Sequence, residues 1–215
     1  MRLPMNQSSK ASHPFFTVGH CNLEMSVLLG TLIRHEIQLV CDVRSRPGSF
    51  RFPQFNREPL MTQLASAKII YQFFGDQLGG RPLDSRYYRS DGLVDYAARR
   101  NAPDFEETLH RLLGFLQNKT VALLCAEEDP LHCHRFLMIC PAMVQRGVAP
   151  LHLRRGAALE TQRDAEDRLL QVHGFADVTS NSLFAQGRAG ALEDALRLQS
   201  ELYGFRTSPE AIEYF

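Results

Sequence analysis

The stretch TVALLCAEEDPLHCHR, residues 120–135, decides the fold prediction. Residues 120–126 form an apolar run of strand length, and residues 127–129 are acidic. From His132 to about Arg146 the periodicity is helical, and Pro141 is predicted to kink this helix. A strand that is apolar at nearly every position is typical of a parallel sheet covered on both faces. The segment therefore predicts a buried parallel strand followed by an acidic loop and a helix.

The same alternation runs through the first 150 residues. Four further apolar runs are predicted strands: PFFTVG (14–19), IQLVCDV (37–43), KIIYQFF (68–74) and VAPLHL (148–153). Predicted helices run from an Asn22 cap to about His35, from an Asn56 cap to about Ala65, and over about 92–100 and 103–118. This order predicts a three-layer, Rossmann-like α/β sandwich with a mostly parallel sheet of about five strands.

The composition divides the chain into three parts. Residues 1–13 are polar and lack the apolar core of a signal peptide, so we expect a short disordered lead. Residues 14–155 form the α/β domain, and the helical patterns of residues 156–215 predict a helical C-terminal extension packed on it. No apolar run reaches the roughly 18 residues that span a bilayer. We therefore expect a cytoplasmic protein without a membrane partner.

Charge and cysteine content restrict the classes of partner. The formal net charge is zero, with 24 basic and 24 acidic side chains, which argues against binding to nucleic acid by bulk charge alone. All but three of the basic residues are arginines, which are better bidentate ligands for phosphate than lysines. Five cysteines without a CxxC pair favour reduced thiols and argue against a disulfide framework or a zinc ribbon.

Polar side chains follow three of the predicted strands. His20 follows the first, Asp42 and Arg44 end the second, and Cys125 and Glu127 end the fourth. In open parallel sheets, ligands bind beyond the carboxyl ends of the strands, at the point where the strand order reverses. We therefore expect these side chains to gather at one edge of the sheet and to form a functional site.

Carboxylates and histidines at this edge are candidates for proton transfer. Glu127 or Asp42 would act as general acid or base, with His20 or His134 assisting. Asp42 and Arg44 lie two residues apart and leave the strand on the same side. They could clamp a polar ligand, or they could neutralise each other as a strand-end ion pair.

Three arginines, two glycines and His134 are candidates for substrate binding. Arg44, Arg51 and Arg135 would bind phosphate, and phenylalanines interleave with the arginines of the loop after the second strand, as in surfaces that stack a base. Gly79 and Gly80 belong to a long loop, residues 75–92. There the backbone could approach a ligand closely, and the loop could fold over the sheet edge as a lid.

The Cys-His cluster supports two further interpretations. Cys125, at a strand end beside a helix start, could be an activated thiol, although the acidic loop after it would raise its pKa. The segment also contains four residues of the types that bind metal ions: Cys125, His132, Cys133 and His134. The side chains of adjacent residues, however, do not easily point at one ion. We predict no cofactor, and a divalent metal at Cys125, Cys133 and His134 stays an alternative.

The residues favour an enzyme, a hydrolase or group transferase that acts on an anionic, nucleotide-like or nucleic-acid substrate. Two alternatives stay open: a nucleic-acid- or metal-binding regulatory module without turnover, and an enzyme that depends on the Cys125 thiol. No P-loop, GxGxxG, HExxH or GxSxG motif is present, which argues against a conventional NTPase or dinucleotide enzyme.

In order and spacing, these motifs resemble the domain of unknown function 488 family. The resembling stretches are Thr17–Asn22, Asp42–Arg44, Phe52–Asn56, Leu78–Gly80, Cys125–Glu127 and Cys133–Arg135, within about residues 15–153. The resemblance implies a compact α/β fold. It marks as site positions Asp42, Arg44, Cys125, Glu127, Cys133, His134 and Arg135. It implies no reaction, so the functional hypothesis rests on the residues.

Overall fold

The computed structural model describes residues 13–175 and 185–207, so nearly all of the expected N-terminal lead lies outside the described residues. Six strands form one sheet in the order β3-β2-β4-β1-β5-β6. They are β1 (Phe15–Gly19), β2 (Leu39–Asp42), β3 (Ile70–Phe73), β4 (Val121–Cys125), β5 (Leu151–Leu153) and β6 (Leu159–Thr161). Neighbours among β1 to β5 pair in parallel, and β6 pairs antiparallel with β5. The predicted parallel sheet is confirmed, with one additional edge strand.

Helices cover both faces of the sheet. They are α1 (Met25–Arg34), α2 (Arg57–Ser66), α3 (Gly75–Leu78), α4 (Tyr96–Arg100), α5 (Pro103–Phe115), α6 (Cys140–Val144), α7 (Gln162–Val172) and α8 (Ala185–Tyr203). Helices α1 and α2 pack on one face, and α5 to α8 contribute to the core on the other. The three-layer arrangement and the helical tail are as predicted. Within the described ranges, no helix combines the length and apolar character needed to cross a bilayer.

Alternate strand residues belong to two separate cores. Val40 and Leu124 cluster with the leucines of α1 and α2, whereas Cys41 and Cys125 cluster with those of α5 and α7. This alternation follows from the two-residue period of a strand. Asp42 therefore leaves β2 on the α1–α2 face, opposite to the face on which Cys125 leaves β4.

Two predicted helix caps differ from the structure. Helix α1 begins at Met25, three residues after Asn22, whose side-chain oxygen instead accepts a hydrogen bond from Arg155. Helix α2 begins directly after Asn56, as predicted, but Asn56 Oδ1 accepts from the backbone N–H of Ser49 at 2.6 Å and makes no cap bond. In both cases the asparagine binds a donor from another segment instead of the helix's own amides.

The segments around the long loop carry more structure than expected. Residues 75–92 contain α3 and a 3-10 turn, Ser85–Tyr87. Helix α4 begins at Tyr96 instead of near residue 92, because Leu93 forms an antiparallel bridge with Arg206 from the tail. The chain after α8 thus returns to the sheet edge where the strands end.

The helix predicted after β4 is distorted in the turn before Pro141, in agreement with the kink predicted from that proline. Residues Arg135–Ile139 form a π-helical turn that leads into α6. Pro141 has no N–H, so the carbonyl of Leu137 lacks its helical donor. Arg100 Nη1 donates to that carbonyl at 3.2 Å and thereby connects α4 to this helix.

The strand order places a crevice at the carboxyl ends of β1, β2 and β4. From β1 the chain passes to β2 on one side, and from β4 it passes to β5 on the other side, so the strand order reverses between β1 and β4. Beyond the strands, the N–H groups of His20 and Cys21 still donate to the carbonyls of Cys125 and Ala126, at 2.9 and 2.7 Å. A Cβ on Gly19 would lie 1.7 Å from the Glu127 carbonyl oxygen. Glycine at this position therefore lets the Glu127 turn lie against β1.

Candidate functional site

A cavity of about 600 Å³ opens at this edge, a size typical of ligand pockets. The loops after β1, β2 and β4, the loop after α3 and the chain after α8 all contribute to its wall. Its charged and titratable lining residues are His20, Arg44, Arg46, Arg81, Cys125, Glu127, His132, Cys133, His134 and Arg206. Its aromatic lining residues are Phe52, Tyr96, Tyr203 and Phe205. The sheet-edge rule thus located a real cavity.

Asp42 and Arg44 form a buried ion pair at the rim of the cavity. Asp42 Oδ1 accepts from the backbone N–H and Nε of Arg44 at 3.1 and 2.9 Å. Its Oδ2 accepts from Arg44 Nη2 at 2.6 Å and from Tyr71 Oη at 2.8 Å. Asp42 is fully buried and does not line the cavity. Of the two interpretations of this motif, the geometry matches the strand-end ion pair.

Arg44 and His20 hold each other in place. Arg44 Nη1 donates to the Phe55 carbonyl at 2.8 Å and contacts His20 Nε2 at 3.1 Å. His20 Nδ1 donates to the Cys21 carbonyl at 3.0 Å, which leaves Nε2 as the acceptor for Arg44. Burial and then the charge of Arg44 lower the pKa of His20 to about 4. His20 is therefore a neutral imidazole with both nitrogens occupied.

Glu127 faces the cavity without an arginine partner. Its Oε2 accepts a hydrogen bond from Cys125 Sγ at 3.0 Å, and no ion pair involves it within the described residues. Burial, together with the nearby Cys133, raises the pKa of the Glu127 carboxyl. Among the described lining residues it is the only carboxylate, so it is the acidic group available to a bound molecule.

Cys125, Cys133 and His134 converge next to Glu127. His134 Nε2 donates to the Val43 carbonyl at 2.9 Å, which turns Nδ1 toward the two thiols. Nδ1 lies 3.8 Å from Cys125 Sγ and 3.8 Å from Cys133 Sγ. A Cβ on Gly80 would lie 2.7 Å from His134 Cγ, so only glycine lets that loop lie flat on the ring.

The expectation that adjacent residues cannot easily point at one ion is wrong for Cys133 and His134. Cys133 is extended (φ −139°, ψ 139°), whereas His134 is helical (φ −56°, ψ −24°). The change of backbone conformation between the two residues directs both side chains to the same point.

The two buried thiols have opposite pKa shifts. Burial raises the pKa of Cys125 well above its ordinary value, and the neighbouring Cys133 adds to this effect. Burial also acts to raise the pKa of Cys133, but the neighbouring Cys125 and the positive charge of Arg135 outweigh it and lower that pKa.

Three predicted substrate-binding residues lie outside the cavity. Arg135 is buried, and its Nη1 and Nη2 donate to the carbonyls of Glu127 and Glu128 at 2.6 and 2.8 Å. Arg51 lies over the ring of Phe52, 5.4 Å from its centroid, and is exposed. Gly79 packs on the backbone of α3. Of the five predicted substrate-binding residues beyond Arg44, only Gly80 and His134 line the cavity.

The sequence interpretation missed the wall built by Tyr203, the last residue of α8, and by the chain after it. Tyr203 stacks on His132 with 3.9 Å between ring centroids, and Arg81 lies over Phe205 at 4.6 Å. Arg206, also in this wall, pairs with Asp91 at 3.2 Å. Aromatic and basic residues do follow the last helical pattern, but no periodicity shows that they return to the sheet edge.

One comparison with known proteins finds a match. A family described as "Domain of unknown function DUF488" matches residues 25–139, which is more than half of the chain. The match runs from α1 to the π-helical turn. It includes the segments that follow β2 and β4, but it begins after β1 and after the segment that contains His20. No curated protein and no solved structure matches the chain.

Proposed function

The chain belongs to the family of the domain of unknown function DUF488, and from the geometry of its cavity we propose that it is an enzyme, a hydrolase or group transferase acting on a small anionic, nucleotide-like substrate. The observation that carries the proposal is one carboxylate, Glu127, in a cavity that four arginines line. The arginines bind the anionic part of the substrate, and Glu127 exchanges a proton with the reacting group.

The arginines of the cavity differ in how free they are to bind a substrate. Arg44 gives four of its five side-chain N–H groups to described protein atoms, so it contributes mainly its charge. Arg206 shares an exposed ion pair with Asp91, which is weak enough for a phosphate to replace it. Arg46 lines the cavity and is in none of the ion pairs formed within the described residues. Arg46 and Arg206 are therefore the strongest anion-binding candidates.

The aromatic lining favours a substrate with a planar group. Tyr203 and Phe205 line the cavity together with Phe52, which belongs to the loop after β2. Bases stack on such rings regardless of their sequence identity. A nucleotide combines a planar base with phosphate, and it matches both features of the cavity. We expect the protein to act on this substrate in the cytoplasm, because its cysteines are unpaired and thiols stay reduced in that compartment.

Within this proposal the site residues divide by role. Glu127 is the candidate catalytic residue because its carboxylate faces the cavity. Asp42 and His20 are positioning residues, because their polar atoms are occupied in holding Arg44. A nucleic-acid-binding module is favoured less, since a concave cavity accepts a small molecule more readily than a strand.

The test is a turnover screen followed by a matched pair of variants. Nucleotides, nucleosides and sugar phosphates are incubated with the full chain, and released base and phosphate are measured by chromatography. On a substrate found in this way, Glu127→Gln should lower kcat by about 100-fold or more with little change in KM. Glu128→Gln is the control, because Glu128 pairs with Arg154 away from the cavity. Full activity of Glu127→Gln would exclude the assigned role.

A further inference from the structure

Three donor atoms meet at the inner wall of the cavity. Cys125 Sγ, Cys133 Sγ and His134 Nδ1 all lie within 4.8 Å of one another, and each sulfur is 3.8 Å from the nitrogen. In a tetrahedral zinc site the metal–sulfur distance is about 2.3 Å and the metal–nitrogen distance about 2.0 Å, which separates sulfur and nitrogen by about 3.5 Å. Both sulfur–nitrogen distances in the cluster are within a few tenths of an ångström of this value.

The histidine is oriented as a metal-bound histidine usually is. Its Nε2–H donates to the Val43 carbonyl, so the proton is on Nε2 and the Nδ1 lone pair faces the two thiols. A second hydrogen bond of this kind is the common support of a metal-ligating imidazole. Gly80, packed flat against the ring, prevents it from turning away.

We propose that Cys125, Cys133 and His134 bind one zinc-type divalent transition-metal ion, with a fourth coordination position that faces the cavity. Two thiolates and an imidazole are a donor set that suits zinc. The charges of two thiolates would balance those of a divalent ion. Three protein ligands and one open position are typical of catalytic zinc sites.

The cluster is distinct from the other thiols of the chain. In the described ranges it is the single group of three histidine, cysteine or carboxylate side chains that reaches metal-binding proximity. Cys140 is also buried, only seven residues after Cys133, but it belongs to no such group. Cys140 is therefore a matched control for Cys133.

The inference does not depend on the proposed function, and its test measures metal binding alone. The reduced full-length protein is stripped with a chelator and titrated with Co²⁺. The wild type should bind one equivalent, with sulfur-to-cobalt charge-transfer absorption and the intense visible bands of tetrahedral Co²⁺, and Zn²⁺ should abolish both. Cys133→Ala and His134→Gln should lose these bands, whereas Cys140→Ala should keep them.

A wild-type protein without these bands, or a folded Cys133→Ala variant that keeps them in full, would overturn the proposal. A second readout covers a variant that does not fold. In the wild type, one equivalent of Zn²⁺ should slow the alkylation of Cys125 and Cys133 and leave that of Cys21, outside the cluster, unchanged. Equal alkylation with and without Zn²⁺ would also overturn it. Metal binding by a protein that turns over no substrate in the screen would instead count against the proposed function alone.

Discussion

Three consecutive acidic residues, Glu127, Glu128 and Asp129, enter two opposite environments after β4. Glu128 and Asp129 belong to an ion network beyond β5: Arg154 contacts Glu128 at 3.0 Å, and Arg168 contacts Asp129 at 2.8 Å. Glu127 turns the other way, into the cavity, and accepts its hydrogen bond from Cys125.

The pKa values follow this division. Although burial opposes it, hydrogen bonds from Arg168 and the backbone lower the pKa of Asp129 to about 2. The pKa of Glu128 is lowered in the same way by Arg154, again against burial. Burial raises the pKa of Glu127, and the neighbouring Cys133 adds to it. Acidic residues that a sequence presents as one motif therefore lie in two different environments, and the absence of a guanidinium partner distinguishes Glu127 from its two neighbours.

The largest expected effect concerns a paired carboxylate at the cavity rim. Asp42→Asn leaves the buried Arg44 without its counter-charge and should lower the free energy of unfolding by about 3–5 kcal/mol. Tyr71→Phe, which removes only one hydrogen bond to Asp42, should cost about 1 kcal/mol. Urea denaturation of both variants checks this. A cost for Asp42→Asn no greater than that for Tyr71→Phe would show that the pair is not structural.

The next effect is a loss of stability in acid through the cavity's buried histidine. The pKa of His20 is about 4 in the folded chain and 6.5 in the unfolded chain, so the unfolded state binds the extra proton between these values. The contribution of His20 to the free energy of unfolding is present above pH 6.5 and is lost as the pH falls toward 4. The loss amounts to at most about 3 kcal/mol.

Urea midpoints measured between pH 7 and pH 4 test this dependence. His20→Gln should flatten the curve relative to the wild type. The remaining slope should come from other groups such as His152, whose pKa burial and Arg135 lower to about 3. Parallel curves for the wild type and His20→Gln would contradict the assignment of a neutral His20.

A smaller effect compares the two environments of the acidic motif directly. Asp129→Asn breaks the contacts with Arg168 and Arg154 and should cost about 1–2 kcal/mol at neutral pH, a loss that disappears as the pH falls toward 2. Glu127→Gln removes no ion pair and should change stability by less than about 0.5 kcal/mol. Thermal unfolding of the two variants measures the contrast. A larger cost at Glu127 than at Asp129 would reverse the division of the motif.

The centre of the sheet is predictable because β1, β2 and β4 are buried at every position. The run over residues 120–126 stays apolar at nearly every position, and the same holds for the four other predicted strands. Strand β6 escapes prediction because Leu159–Thr161 is short and partly exposed, and because it pairs on one side only. No apolar signal distinguishes such a segment from a loop.

The candidate site is predictable to the extent that it depends on strand ends. The positions after β1, β2 and β4 place Arg44, Cys125 and Glu127 at the cavity, because parallel strands end at the same edge. Arg206 reaches it only through the bridge to Leu93, a tertiary contact without a sequence pattern. The opposite faces taken by Asp42 and Cys125 follow from strand register, which becomes clear only once the pairing is known.

The most direct test of the anion-binding cavity is a calorimetric titration of the full chain with pyrophosphate. We expect the wild type to bind pyrophosphate, with an affinity that falls with salt and that is about tenfold lower in Arg46→Ala, which loses one cavity cation. Arg197→Ala, which removes an exposed arginine of α8 outside the cavity, should bind like the wild type. No binding by the wild type, or equal binding by Arg46→Ala, would contradict the claim that this cavity accepts an anionic substrate.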